Sequence, residues 1–176
     1  GICRVRTNEA GKLYTHIYGE VAALALDPLE KKPLYHFYPG RQILSVGTWV
    51  CNFSCAFCQN YRLAHEQAET RVILPEQLAE LAVRARDQDS VGIAFTYNEP
   101  SIWFEYVLDT ARLLKSRGLK TVLVTNGFID PEPLNELLPF IDAANIDIKA
   151  FSQDFYKRNC KGRLQEVKDN IAFMAG

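Results

Sequence analysis

From residue 43 onward, short β-branched runs alternate with segments of helical periodicity, and this alternation constrains the fold more than any other feature. Strands are predicted at residues 43–46, 91–96, 121–125 and 143–148. Helices are predicted at residues 75–86, 101–117, from about 131, and at 164–174. Strands that alternate with helices form right-handed βαβ units around a parallel sheet. The sequence therefore predicts an α/β fold with about four βα units.

The first forty residues have a different pattern. A polar break with Gly11 at its centre separates two loosely alternating runs and predicts a β-hairpin. Residues 27–40 hold Pro28, Pro33 and Pro39, so a loop is predicted there. We divide the chain accordingly into residues 1–40, an N-terminal hairpin and proline-rich loop, and residues 41–176, the α/β core.

Composition narrows the classes of function. A chain of 176 residues that is 48% hydrophobic and 23% charged can bury one sizeable core. The net charge is −1 and no Lys/Arg run exceeds two residues, which disfavours a nucleic-acid partner. No apolar stretch approaches the roughly 18 residues of a membrane span. We therefore expect a cytoplasmic protein with neither nucleic-acid nor membrane partners.

Three of the five cysteines, Cys51, Cys55 and Cys58, lie in the run CNFSCAFCQN, directly after the first predicted strand of the core. Three thiolates on one short loop can hold three irons of a [4Fe–4S] cluster and leave the fourth iron open to a small molecule. The alternatives are a structural zinc site, which would need a fourth ligand, and a set of buried thiols. Disulfides are disfavoured because the cysteine count is odd and no secretory signal is present.

Polar side chains follow each of the other three predicted strands. In parallel α/β folds the functional groups collect at the carboxyl ends of the strands, so these residues are predicted to lie near the cysteines. They are Thr96-Tyr97-Asn98-Glu99-Pro100, Thr125-Asn126-Gly127 and Asp147-Ile148-Lys149.

Each of these groups also has a plain structural interpretation. Glu99 can begin the next helix, where an acidic residue is favourable, and Asn126-Gly127 is a common turn pair. Asp147 and Lys149 share one face of the predicted strand and are expected to point inward. Such a pair is either functional or a buried ion pair.

The cysteine motif, with the aromatic Phe57 just before its last cysteine, resembles that of the radical S-adenosylmethionine (SAM) superfamily. Residues 19–60, which include DPLEKKPL and CNFSCAFCQN, together with the later TYNEP, resemble the AmmeMemoRadiSam system enzymes. These are relatives of the pyruvate formate-lyase-activating enzymes. The resemblance implies a partial (βα)6 barrel, truncated here to about four βα units, in which the cluster loop follows the first strand. It also implies that the chain is part of a longer protein, with a cysteine-rich segment upstream and two βα units downstream.

The resemblance implies the following site, with a [4Fe–4S] cluster and SAM as cofactors. Cluster ligands would be Cys51, Cys55 and Cys58. Residues next to SAM would be Phe57 at the adenine, Glu99 and its neighbour Asn98 at the amino group, Thr125 and Asn126 at the ribose or the methionine carboxylate, and Asp147 and Lys149. The chain departs from the family pattern at Tyr97 and Asn98, which replace two glycines, and at Val124, which replaces an aspartate.

The function implied is reductive cleavage of SAM to a 5′-deoxyadenosyl radical, which abstracts a hydrogen atom. An activating enzyme would take that atom from a partner protein and receive its electron from a flavodoxin- or ferredoxin-type donor. The alternatives are an RNA- or small-molecule-modifying radical SAM enzyme and a non-enzymatic zinc-binding module. The neutral charge disfavours RNA, because RNA affinity rests on clustered Lys and Arg.

Overall fold

The computed structural model describes residues 2–175. The strands of the described chain are β1 Arg6–Glu9, β2 Lys12–Thr15, β3 Glu20–Val21, β4 Ala23–Pro28, β5 Gln42–Gly47, β6 Arg71–Val72, β7 Ser90–Phe95, β8 Lys120–Thr125 and β9 Ala143–Ile146. The main sheet contains five of them, in the spatial order β4-β5-β7-β8-β9. Strands β5, β7, β8 and β9 are parallel, as the alternation of elements predicts.

The helices connect the parallel strands. They are α1 Tyr61–His65, α2 Pro75–Arg84, α3 Phe104–Ser116, α4 Pro131–Leu137, α5 Gln153–Phe155 and α6 Leu164–Ala175. Pro75 and Pro131 each stand at the first turn of a helix, where a missing N–H costs nothing. A π-helical turn, Tyr156–Cys160, directly follows α5. No helix within residues 2–175 is long and apolar enough to cross a membrane.

The N-terminal segment contains both a confirmed and an unpredicted element. Strands β1 and β2 form the predicted antiparallel hairpin, and its turn uses Ala10 and Gly11 with positive φ. The segment also contributes β4, which pairs antiparallel with β5, so residues 23–28 belong to the sheet of the core. The predicted loop therefore begins after Pro28. The division at residue 40 stays a prediction.

The two faces of the sheet bury different sets of residues, because successive side chains in a strand point to opposite faces. Leu44, Ile93 and Leu123 lie on the face that forms the largest buried cluster, which includes residues of α2 and α3. Ile43, Ala94 and Val122 lie on the other face and pack with Leu29. We call this second face the inner face.

Candidate functional site

A cavity of about 720 Å³ opens at the carboxyl ends of the parallel strands. Further along the inner face it is lined by Thr96, Val124 and Asn145. The ten residues predicted for the site all contribute to its lining: Cys51, Phe57, Cys55, Cys58, Asn98, Glu99, Thr125, Asn126, Asp147 and Lys149. The structure therefore brings together residues from four separate strand ends.

The cysteine loop, residues 51–58, is held in place by the π-helical turn that follows α5. The Ser54 amide donates to the Cys160 carbonyl at 2.8 Å, and the Ala56 amide donates to the Asn159 carbonyl at 3.3 Å. The buried Phe53 ring lies so close to Gly162 that a Cβ at that position would overlap it. The loop thus depends on a segment about 100 residues further along the chain.

The thiols of this loop are set in an apolar environment. Burial raises the pKa of Cys51 to about 12, and the charge of Glu99 adds to the effect. Burial and the neighbouring Cys160 raise the pKa of Cys55 to about 12 as well. The Phe53 amide donates to Cys51 Sγ at 3.3 Å, and Asn126 Nδ2 lies 3.7 Å from the same sulfur. A bound metal would displace the thiol protons, and these N–H groups would then stabilise the Cys51 thiolate.

The donor set fits a cluster better than a single ion. Thiolates are the usual ligands of iron–sulfur clusters, and each of three cysteines binds a different iron. A structural zinc site instead needs four ligands around one point. The cysteine loop on the cavity wall therefore suits a [4Fe–4S] cluster.

Glu99 is a fully buried carboxylate that joins the ends of β7 and β8. It accepts hydrogen bonds from the Thr125 hydroxyl at 2.7 Å, the Asn126 amide at 2.8 Å and the Ser101 amide at 3.0 Å. Burial raises the pKa of Glu99, while these donors and the Ser101 hydroxyl oppose the rise. The acceptor positions of the carboxylate are thus largely occupied within the protein, which fixes its orientation on the cavity wall.

Tyr97 and Asn98, which replace the two glycines of the family pattern, keep the loop after β7 close to the cysteine loop. Tyr97 has φ +72°, a left-handed conformation that glycine adopts without strain. Asn98 accepts from the Thr48 amide at 3.1 Å and donates to the Val50 carbonyl at 3.1 Å. Asn98 therefore positions the chain that leads into Cys51.

Asp147 and Lys149 pair and both line the cavity, but the expectation that they belong to a strand is wrong. Strand β9 ends at Ile146, so both residues follow it, and the Asp147 side chain is 51% exposed. Lys149 Nζ lies 2.9 Å from Asp147 Oδ2. Burial acts to lower the pKa of Lys149, but the hydrogen bond to Asp147 outweighs it and the pKa is raised. Because β9 is the last strand of the described sheet and has a neighbour on one side only, no further strand covers the pair.

Two features of the site were missed by the sequence analysis. Asn52 links three elements: it donates to the Phe128 carbonyl at 2.7 Å, lies 3.2 Å from Ser101 Oγ and accepts from Asn126 at 2.7 Å. Asn52 lies inside the cysteine motif, so its place beside the ligands was a usable signal.

The second missed feature is a charged group formed by Asp27, Lys31, Lys32 and Tyr97 on the cavity wall. The run DPLEKKPL contains three of these residues, Asp27, Lys31 and Lys32. Only the sheet register shows that they reach the cavity.

Comparison with known proteins decides the family. The sequence profile of the Radical SAM superfamily matches residues 46–175. This chain belongs to the radical SAM superfamily. Members of that superfamily are enzymes that use a [4Fe–4S] cluster and SAM, which agrees with the donor set of the cysteine loop.

Two of the proteins with similar sequences come from one organism. An uncharacterized protein of Methanocaldococcus jannaschii is 43% identical over 170 residues, which cover 95% of the chain and 49% of that protein. A putative glycyl-radical enzyme activating enzyme of the same organism is 28% identical over 140 residues, which cover 76% of the chain and 55% of that protein. The chain thus spans about half the length of the curated relatives it matches.

The solved structure of Streptococcus suis SuiB bound to S-adenosylmethionine matches with a TM-score of 0.58 at 14% identity, over 75% of the chain and 32% of SuiB. At this identity the likeness shows the fold. The predicted α/β fold of the radical SAM superfamily, with parallel strands joined by helices, is confirmed.

Proposed function

We propose that the protein reductively cleaves SAM and uses the resulting radical to abstract a hydrogen atom from a substrate. The observation that carries this proposal is the single cavity that unites the cysteine loop with polar groups from three other strand ends. When bound at the cysteine loop, a reduced [4Fe–4S] cluster would supply the one electron that cleavage of the C5′–S bond of SAM requires. The chain's own residues bind these groups and hold them in place.

Cys51, Cys55 and Cys58 would ligate the cluster. The Phe53 amide and Asn126 would donate to the Cys51 sulfur, since both already approach it in the structure. Such N–H donation to a ligating sulfur is one of the ways in which a protein sets the reduction potential of a cluster.

SAM would lie between the cysteine loop and the ends of β7, β8 and β9. The Glu99 carboxylate on the cavity wall suits the amino group of SAM, and Lys149 offers a cation for the carboxylate of SAM. Thr125 and Asn126 hold Glu99 through their hydroxyl and backbone amide, so they orient this contact as well as lining the cavity. Phe57 is 51% exposed at the edge of the cysteine loop and offers its ring to the adenine.

The hydrogen donor that we favour is a glycine of a partner protein, as in an activating enzyme. The putative glycyl-radical enzyme activating enzyme of M. jannaschii supports this choice by its similarity. We also assign the protein to the AmmeMemoRadiSam subgroup on its DPLEKKPL and CNFSCAFCQN runs. A flavodoxin- or ferredoxin-type protein would supply the electron.

A small-molecule donor is the second candidate, and one observation favours it. The cavity continues along the inner face beyond the cysteine loop to charged side chains, among them Asp27 and Lys32. A pocket with a few placed polar groups is typical of a site for a small molecule.

The test uses the full-length protein, reconstituted anaerobically with iron and sulfide, reduced with dithionite and given SAM. Formation of 5′-deoxyadenosine, absent in Cys55→Ala, supports SAM cleavage. Its absence in a protein that holds a full cluster would refute the proposal.

Extract from cells grown in deuterated water, which labels C–H bonds of proteins and small molecules alike, then separates the two donors. Deuterium transferred to 5′-deoxyadenosine from the protein fraction supports the partner glycine. Transfer only from the low-mass fraction supports the small molecule.

A further inference from the structure

The inner end of the cavity, which we call the cavity floor, consists of Asp27, Lys31, Lys32 and Tyr97. Asp27 of β4 pairs with Ile43, four residues before the end of β5 at Gly47. At about 3.3 Å per residue, the floor begins about 13 Å from the strand ends that carry the cysteine loop. A ligand on the floor can therefore extend along the inner face toward the cysteines.

Lys32 is a buried cation with unused hydrogen-bond capacity. Its side chain is 4% exposed, and its Nζ donates to Asp27 Oδ2 at 2.9 Å. An ammonium carries three donors, and Asp27 is its hydrogen-bond partner within residues 2–175. The Lys32 Nζ also lies 5.1 Å from the centre of the Tyr97 ring. This is a cation–π contact, and the ring provides no lone pair to accept a hydrogen bond from the ammonium. A buried N–H group without an acceptor lowers the stability of the folded protein, unless a ligand in the cavity accepts a hydrogen bond from it.

Asp27, in contrast, is fully engaged and leaves the floor with surplus positive charge. It accepts from Lys31 at 3.1 Å, from Lys32 at 2.9 Å and from the Tyr97 hydroxyl at 2.8 Å. One carboxylate thus faces two ammonium groups, of which Lys32 is buried and Lys31 is 65% exposed. The formal charge of the group is +1, and the cation in excess is Lys31 at the solvent edge of the floor.

Tyr97 reaches the cavity floor from a left-handed backbone position. Left-handed backbone costs a residue with a Cβ about 1–2 kcal/mol. Tyr97 adopts it at φ +72°, and its hydroxyl thereby reaches Asp27, 70 residues away in the chain. Strain of this kind persists where the surrounding structure requires it, most often at binding and catalytic sites.

We propose that the cavity floor binds a carboxylate or phosphate group of a small-molecule substrate, with Lys32 as the principal donor and Lys31 as the second cation. The inference rests on the proposed function in its small-molecule form, because it fixes the substrate class of that same cavity. A group held on the floor orients the rest of the substrate toward the cysteine loop, where the hydrogen atom would be removed.

The test is anion binding to the full-length, cluster-loaded protein. Thermal unfolding is followed anaerobically while sodium acetate or sodium phosphate is added, with sodium chloride at equal ionic strength as the reference. A ligand that binds the folded state alone raises the unfolding temperature in a saturable way. We expect saturation with at least one of the two anions, and at least tenfold weaker apparent affinity in Lys32→Met.

Two further variants keep the test decisive. Asp27→Asn/Lys32→Met removes both buried charges together, so it leaves neither one unpaired if the single variant fails to fold. Lys120→Met breaks a Lys–Asp pair outside the cavity, with Lys120 Nζ 2.7 Å from Asp142, and should leave anion binding unchanged. Acetate binding identifies a carboxylate substrate and phosphate binding a phosphorylated one.

Absence of any saturable effect that depends on Lys32 overturns the inference. SAM cleavage by the wild-type protein is measured in the same preparation and separates the two proposals. SAM cleavage without anion binding refutes only the proposal that the cavity floor binds an anion. Anion binding without cleavage refutes the radical reaction and leaves the anion site standing.

Discussion

The cysteine loop and the cavity floor lie on one cavity but are assembled in different ways. The three cysteines fall within eight residues, so local chain geometry brings them together. The cavity floor joins β4 and its following turn to Tyr97, and its contacts exist only once β4, β5 and β7 are paired. A short motif is therefore visible in sequence, whereas a site of the second kind becomes visible only with the sheet register.

The two regions also differ in electrostatics. In the cysteine loop, burial raises the pKa of Cys51 to about 12, so the thiol is uncharged until a metal binds. On the cavity floor, burial acts to raise the pKa of Asp27, but hydrogen bonds from Lys32 and Tyr97 outweigh it and hold the pKa well below its ordinary value. The cysteine loop thus acquires its charges from a cofactor, while the floor is charged as soon as the chain folds.

Among the proposed substitutions, Cys51→Ala should have the largest effect, and it acts on the cysteine loop. Without that ligand the loop has two thiols, and we expect iron content and SAM cleavage to fall below detection. The apo protein should lose little stability, because the partly buried thiol is replaced by a small apolar group. Iron analysis and an unfolding curve measure the two effects. Cys3→Ala removes a thiol that does not line the cavity and is the matched control, and iron retention in Cys51→Ala would contradict the assignment.

Asp27→Asn should instead lower the free energy of unfolding, by about 3 kcal/mol at neutral pH, because it leaves Lys32 buried without its charged partner. The pKa of Asp27 is lowered in the folded state, so its contribution is present above the ordinary value of 3.8 and is lost as the pH falls below it. Urea unfolding should show a constant difference from wild type between pH 7 and about 5, and a shrinking one below pH 4.

The control for Asp27 is Asp142→Asn, which breaks the half-exposed pair with Lys120 and should cost less than about 1 kcal/mol. A difference at Asp27 that stays constant down to pH 3 would show that the carboxylate charge is not what stabilises the cavity floor.

Gly162→Ala should have a smaller effect on iron content, and it tests whether the segment after α5 holds the cysteine loop in place. The added Cβ overlaps the Phe53 ring, so we expect a loss of about 1–3 kcal/mol and a lower iron content per chain. Gly11→Ala, in a turn with nothing within 4 Å of the new Cβ, provides strain without a clash and should leave the iron content unchanged. Full iron loading of Gly162→Ala would show that the segment after α5 does not position the cysteine loop.

Much of the fold and site could be predicted from the sequence because the signals are local. Strand and helix periodicity placed β5, β7, β8 and β9 in the right order, and strand ends identified Glu99 and Thr125. The hydrogen bond between them, which the Thr125 hydroxyl donates to Glu99, could not be predicted. The hydrogen bond needs the parallel pairing of β7 and β8, which is a property of the sheet.

Other errors have similar physical causes. Asp147 was expected on an inward strand face, but the strand ends one residue earlier, and strand ends are the least certain part of a periodicity argument. Strand β4 was hidden because Pro28 and the residues after it suggest a loop. Pro28 is compatible with a strand here since β4 is at the edge of the sheet.

The most direct test of the central claim is EPR spectroscopy of the full-length protein after anaerobic reconstitution and dithionite reduction, with and without SAM. A cluster with one open iron predicts a [4Fe–4S]⁺ signal that shifts when SAM is added and that is missing in Cys55→Ala. Colourless protein that holds about one zinc per chain, with no such signal, would contradict the account.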